Sequence, residues 1–93
     1  MNVQQDNNEK KGSFYIEDNG ARVAEMFYIW TGADKIIIDH TEVSEAYEGK
    51  GLGKQLVKAC VEWARANNIH IIPLCPFAKG VFDRVPEYRD VLV

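Results

Sequence analysis

Few side chains in this chain have the chemistry to act on a substrate, and two short stretches hold the leading candidates. Cys75 is followed at once by Pro76, a residue favoured in the first position of a helix, so its thiol is expected at a helix N-terminus, where the dipole favours a thiolate. The alternative is a buried small hydrophobe, the usual state of a free cysteine. The second stretch is Asp39-His40-Thr41-Glu42-Val43, at the end of a strand that leads into a crossover. Ligands of α/β proteins gather at such strand ends, so His40 or Glu42 is a candidate proton acceptor there; the structural alternative is a histidine hydrogen-bonded within its strand. Tyr47 and Tyr88 complete the titratable candidates. His70 stands at a strand start and reads as exposed or capping, and Cys60 lies on an apolar helix stripe and reads as core. Neither histidine nor either cysteine has zinc-ligand spacing, so no metal site is expected.

Between these stretches lies Ala46-Tyr47-Glu48-Gly49-Lys50-Gly51-Leu52-Gly53-Lys54-Gln55, with three glycines alternating just before a helix. Free backbone amides and the helix dipole at such a turn favour an anion, and glycine allows both close approach and positive φ. A phosphate is the expected occupant. The spacing excludes a P-loop, which would need glycine at Glu48 and Ser or Thr at Gln55, and a dinucleotide fingerprint, which would need glycine at Lys54. Lys50, Lys54 and Lys58 either pair with the phosphates or form ordinary solvated helix surface.

The elements that must position these residues follow from periodicity. Ser13 to Glu17 and Arg22 to Trp30 read as strands around an Asn19-Gly20 hairpin turn. Thr31-Gly32-Ala33-Asp34 is a second turn, and the β-branched run from Lys35 to Val43 is a third strand. Leu52, Leu56, Cys60 and Trp63, widened by Ala59 and Ala64, form one buried helical face that ends at Asn67-Asn68. Ile69 to Leu74 is then a short strand, parallel to the third because a helix crosses between them. Pro73 implies an edge or an interrupted ladder. Pro76 to Val85 reads as a short helix, Pro86 to Asp90 as a turn and Val91 to Val93 as a tail. Residues 1–11 are polar and read as a flexible lead-in that buries too little to order itself, leaving 12–93 as one domain.

Composition narrows the class further. A chain of 93 residues forms one small domain that buries a little over ~60% of its unfolded surface. Two cysteines do not make a disulfide framework, so a reducing cytoplasm is the expected home. No run approaches the roughly 18 apolar residues of a membrane span, and the first residues lack the apolar core of a signal peptide. A net charge of −3, with no basic face interleaved with aromatics, argues against nucleic acid as a partner.

These residues together carry a resemblance. Glu48-x-x-Gly51-x-Gly53 between a strand and an amphipathic helix resembles the acyl-coenzyme-A (CoA) loop of the GNAT superfamily of N-acetyltransferases. The ordered set His40-Thr41-x-Val43, Gly49-Lys50-Gly51-Leu52-Gly53 and Ile71-Ile72-Pro73-x-Cys75 is similar to the very small, single-domain GNAT-like proteins, over about residues 12–92. The resemblance implies an α+β fold: a twisted mixed sheet with an antiparallel three-strand meander and a parallel fourth strand, splayed from the third to admit the pantetheine arm. It implies acetyl-CoA as acyl donor and an amine as acceptor; no metal is expected, and a monomer or weak dimer is the expected state. By the same resemblance the amides of Gly49, Lys50, Gly51, Leu52, Gly53 and Lys54 hold the pyrophosphate and Cys75 acts on the acetyl group; Val43 is counted with the cofactor site, and the strand-end placement of His40 and Glu42 makes either one the expected base. Three positions depart from larger members. Glu48 stands where they carry Gln or Arg, and Cys75 and Phe82 stand where they often carry an asparagine and a tyrosine acid; phenylalanine has no proton to give. Helices between the first strands, which form the amine-substrate wall in full-size members, are replaced by short turns. The rival function is therefore a non-catalytic acyl-CoA binder. A thiol-redox role would need a resolving cysteine, for which Cys60 is poorly placed.

Overall fold

The computed structural model describes residues 2–93. Five strands form one sheet in chain order: β1 (Val3–Asn7), β2 (Lys11–Asp18), β3 (Ala21–Trp30), β4 (Lys35–Val43) and β5 (His70–Pro73). A short 3-10 turn, Glu45–Tyr47, and helix α1 (Leu52–Ala66) cross from β4 to β5; helix α2 (Pro76–Arg84) and a second 3-10 turn, Pro86–Val91, follow. Strands β1 to β4 are antiparallel and β5 runs parallel to β4, as a helical crossover requires. The β2–β3 hairpin turns on Asn19 and Gly20, both at positive φ (52° and 80°), the geometry that matches strand twist.

Strand β1 corrects the expectation of a flexible lead-in, as far as the described residues reach; Met1 lies outside them. Val3 to Asn7 pair in register with Ile16 to Gly12 of β2. Composition misses this strand because its inward positions hold amides that bond buried aromatics. Gln5 Nε2 donates to Tyr28 Oη at 2.8 Å, Tyr28 Oη donates to Asn7 Oδ1 at 2.7 Å, and Trp30 Nε1 donates to the same oxygen at 3.1 Å. Tyr28 is only 1% exposed, and a hydroxyl buried so deeply without partners would be costly. Gly12 is bare because a methyl there would overlap the Tyr28 ring and the Asp6 carbonyl.

Helix α1 lays Leu56, Val57, Cys60, Val61 and Ala64 onto Ile16, Met26, Ile36 and Ile38 of the sheet. Each of the Leu, Val, Ile and Met side chains among them contributes ~1.5–3 kcal/mol on burial. Trp63 packs edge-on against Phe14 and Trp30, and Asn68, at φ 54°, ends the helix in the left-handed region. The last residues are not a free tail: Leu92 bridges Ile71, and the Val93 amide donates to the Ile71 carbonyl.

One irregularity decides what faces the site. Phe27 pairs with His40 but Tyr28 pairs with Ile38, so Asp39 is an extra residue in β4. A bulge of this kind reverses the inside–outside alternation. Before it Ile36 and Ile38 point at the core; after it Thr41 and Val43 do, and His40 and Glu42 turn outward. The β4–β5 ladder also stops here, at Ile38 opposite Pro73. The amides of Leu74 and Cys75 both donate to the Ile38 carbonyl, and the chain turns away into α2. Beyond that point β4 continues to Val43 without β5 beside it.

Candidate active site

The parted strands open onto the glycine turn. The 3-10 turn uses the Tyr47 amide on the Ser44 carbonyl and the Glu48 amide on the Glu45 carbonyl. Gly49 and Gly51 then take φ values of 78° and 76°. Gly51 caps α1 without any side-chain bond, and its carbonyl accepts the Gln55 amide. The leading amides of a helix have no acceptor within it, and left-handed residues turn successive N–H groups into a concave nest suited to an anion. A Cβ on Gly49 or Gly51 would meet nothing within 4 Å. Glycine serves there for its conformation, not for space.

A cleft of about 440 Å³ runs from Thr41 and Val43, on the free stretch of β4, to Gly49, Gly51, Leu52, Gly53 and Lys54. Tyr47, Glu48 and Phe77 complete its wall. The Tyr47 hydroxyl donates to the Asp18 carboxylate, and that bond raises its pKa above the ordinary tyrosine value. Lys50 lies outside the lining, its ammonium 5.9 Å from the Tyr47 ring centre. The donor set suits a phosphorylated ligand, since amides and Lys54 converge at one end and only Glu48 opposes them.

The remaining sequence candidates fall into two separate pairs. Cys75 caps α2 with Pro76 at its head, as expected. It is only 5% exposed and sits beside Thr41, whose Oγ1 lies 3.3 Å from Sγ. His40 Nε2 and Glu42 Oε1 are 3.0 Å apart, with the imidazole stacked on Phe27. The bulge puts this second pair on the face of the sheet opposite the cleft, so the structure does not bring it together with Cys75. Cys60 is fully buried, and burial pushes its thiol far up, which keeps it inert. His70 is exposed at the start of β5. Phe82 is 1% exposed in the core, edge-on to Tyr88. Thr41 stands in a sequence motif that gives it no role, and nothing in the sequence marks Phe77 as a cleft residue. The bulge hides the first, and only the contact between α2 and the start of α1 reveals the second.

A sheet that parts beside a crossover helix, with a glycine turn at that helix's head and a cleft between the two, defines an open-cleft α+β domain. The chain belongs to the GCN5-related N-acetyltransferase (GNAT) family, whose description "GCN5-related N-acetyl-transferase" matches residues 13–91. Protein NATD1 of Gallus gallus is 32% identical over 93 residues, spanning 97% of this chain and 84% of that one. The Homo sapiens NATD1 is 29% identical over 97% of this chain and 82% of its own. A GCN5-like protein of Staphylococcus aureus, solved in solution by NMR, superposes with a TM-score of 0.71 at 40% identity, covering 99% of this chain and 89% of that one. The aminoglycoside N-acetyltransferase AAC(6')-Iy, solved in complex with CoA, superposes with a TM-score of 0.64 at 13% identity, over 89% and 88% of the two chains. At that identity the likeness is one of fold.

Proposed function

We propose that this protein is a small N-acetyltransferase that moves an acetyl group from acetyl-CoA to an amine. The observation that carries the reading is the free stretch of β4 beyond Ile38, which opens directly onto the glycine-turn cleft. The amides from Gly49 to Lys54 hold the pyrophosphate, with Lys54 adding charge. The pantetheine arm lies along Thr41 and Val43. The thioester then reaches the Thr41–Cys75 pair. Family membership supports the reaction class, and the CoA complex of the distant structural neighbour supports the donor.

Two routes are open to Cys75. In the covalent route its sulfur attacks the thioester carbonyl, the carbon–sulfur bond to CoA breaks, and the thiol proton leaves with the CoA sulfur. An amine then attacks the cysteine thioester and restores the thiol. In the second route Cys75, held by Thr41, only positions the thioester for direct attack. In both, His40 or Glu42 takes the proton from the incoming amine, a role worth typically ~10²–10⁴ in rate. Because that pair faces away from the cleft, the amine in this scheme meets the parted strands from the opposite face, and donor and acceptor do not compete for one mouth. Intact-mass measurement after incubation with acetyl-CoA separates the routes: no gain of an acetyl group, with undiminished turnover in Cys75→Ser, removes the covalent one.

Phe82 favours a second reading, a non-catalytic acyl-CoA binder, since the buried ring leaves direct transfer without the usual tyrosine acid. That reading predicts calorimetric binding of CoA with no transfer to any of a panel of amines. Transfer to any one of them excludes it.

A further inference from the structure

Gly53 differs from the other glycines of the turn. Gly49 and Gly51 have positive φ and open space, whereas Gly53 lies within α1, buried, and a Cβ there would sit 2.6 Å from the Phe77 ring. Real Cβ atoms do not come so close to a neighbour. Alanine is the better helix former and the backbone here is ordinary helix, so what an added Cβ at position 53 would have to displace is the ring. Phe77 itself stands in the first turn of α2, two residues after Cys75, and is 39% exposed. A large aromatic with that much open surface is pressed against bare helix at one end of its ring while it lines the cleft with Thr41, Val43 and Leu52. It shares the cleft wall with the glycine turn and with Thr41, the neighbour of Cys75.

We propose that Phe77 is the side chain that holds the pantetheine arm of the acyl donor, and that Gly53 is bare in order to seat it. The proposal rests on the reading of the cleft as an acetyl-CoA site and adds a positioning contact to it. An aromatic wall with an exposed face suits an arm of methylenes and amides, which gains from apolar contact along its length. It offers nothing to the phosphates. Phe77 therefore discriminates between a ligand with the arm and one without it.

The test compares CoA with 3′-phospho-ADP, which has the phosphates but no arm, by calorimetry on the wild type, Phe77→Ala, Gly53→Ala and the double variant, with the melting temperature of each. Phe77→Ala is expected to weaken CoA about tenfold, the scale of losing one partly buried aromatic face, and to leave 3′-phospho-ADP unchanged. Gly53→Ala is expected to lower the melting temperature in the wild type and raise it in the Phe77→Ala background. Phe77→Leu, which keeps apolar bulk, guards against a fold defect in the alanine variant. Equal losses for both ligands in Phe77→Ala, or unchanged CoA affinity, overturn the proposal. Gly53→Ala lowering the melting temperature alike in both backgrounds overturns the seating. A wild type that binds neither ligand overturns the cleft assignment and the role given to Phe77, and is told apart because the melting-temperature reversal needs no ligand.

Discussion

Replacing Gly51 by alanine tests the anion nest with few confounding effects. Gly51 caps α1 at φ 76° and ψ 16°, and an L-residue held in that left-handed region costs ~1–2 kcal/mol. No collision adds to this, because a Cβ there meets nothing within 4 Å. For a domain of this size each kcal/mol lowers the melting temperature by ~4–8 °C, so Gly51→Ala should melt about 4–8 °C or more below the wild type. If the turn relaxes to relieve the strain, its amides lose their common aim. A hydrogen bond to a charged group is worth ~1.5–3 kcal/mol, so one misdirected amide should weaken CoA by at least about tenfold. Gly32 is the control: its φ is 127° with equally open space, but it lies in the β3–β4 turn. Gly32→Ala should cost stability and leave CoA affinity intact. Calorimetric melting and CoA titration of both variants read out both effects. A Gly51→Ala protein that melts and binds like the wild type would refute the reasoning, as would a Gly32→Ala protein that loses affinity equally.

Other consequences follow from individual side chains. Glu48 is exposed on the cleft wall, so Glu48→Gln should tighten CoA several-fold at low ionic strength and less at high; affinity unchanged at both would mean that the carboxylate faces away. Asn7→Ala strips the acceptor shared by Tyr28 and Trp30 and should cost ~1–3 kcal/mol in urea unfolding, whereas a loss near zero would show that β1 does not depend on this network. The Arg65 guanidinium bonds Asp90 and holds its carboxyl below the usual range. A depressed carboxyl gives stability that is present above its unfolded pKa and lost as pH falls through the folded one. The melting-temperature gap between wild type and Asp90→Asn should therefore be widest near neutrality and close as the pH drops through the carboxylate range; a gap independent of pH would contradict this.

Much of the fold is visible in the sequence because local signals agree there. Asn19-Gly20 sets the hairpin, the Leu52–Leu56–Cys60 stripe sets the helix, and Pro73 marks where the last ladder ends. The rest depends on contacts between distant residues. Strand β1 looks too polar to order itself, and only the buried Tyr28 hydroxyl and Trp30 nitrogen reveal what Gln5 and Asn7 do. Of the site, the glycine turn and Cys75 are legible, since both are punctuation at helix starts. The outward turn of His40 and Glu42 is not. It follows from the one extra residue at Asp39, and a bulge in a β-branched run leaves no local signature. The partnership of Gly53 with Phe77 is hidden for a related reason, because a glycine among phosphate-loop glycines looks like more of the same.

The central claim is that the glycine turn and the free stretch of β4 together hold acetyl-CoA. A protein of 93 residues is well suited to amide-resolved NMR titration, which reads both places at once. Addition of CoA should shift the amides of Gly49 to Lys54 and of Thr41 to Val43 most strongly, in one saturable event, while Gly32, in the β3–β4 turn at the other end of β4, stays in place. Shifts confined to other parts of the sheet, or none at all at saturating CoA, would contradict the account.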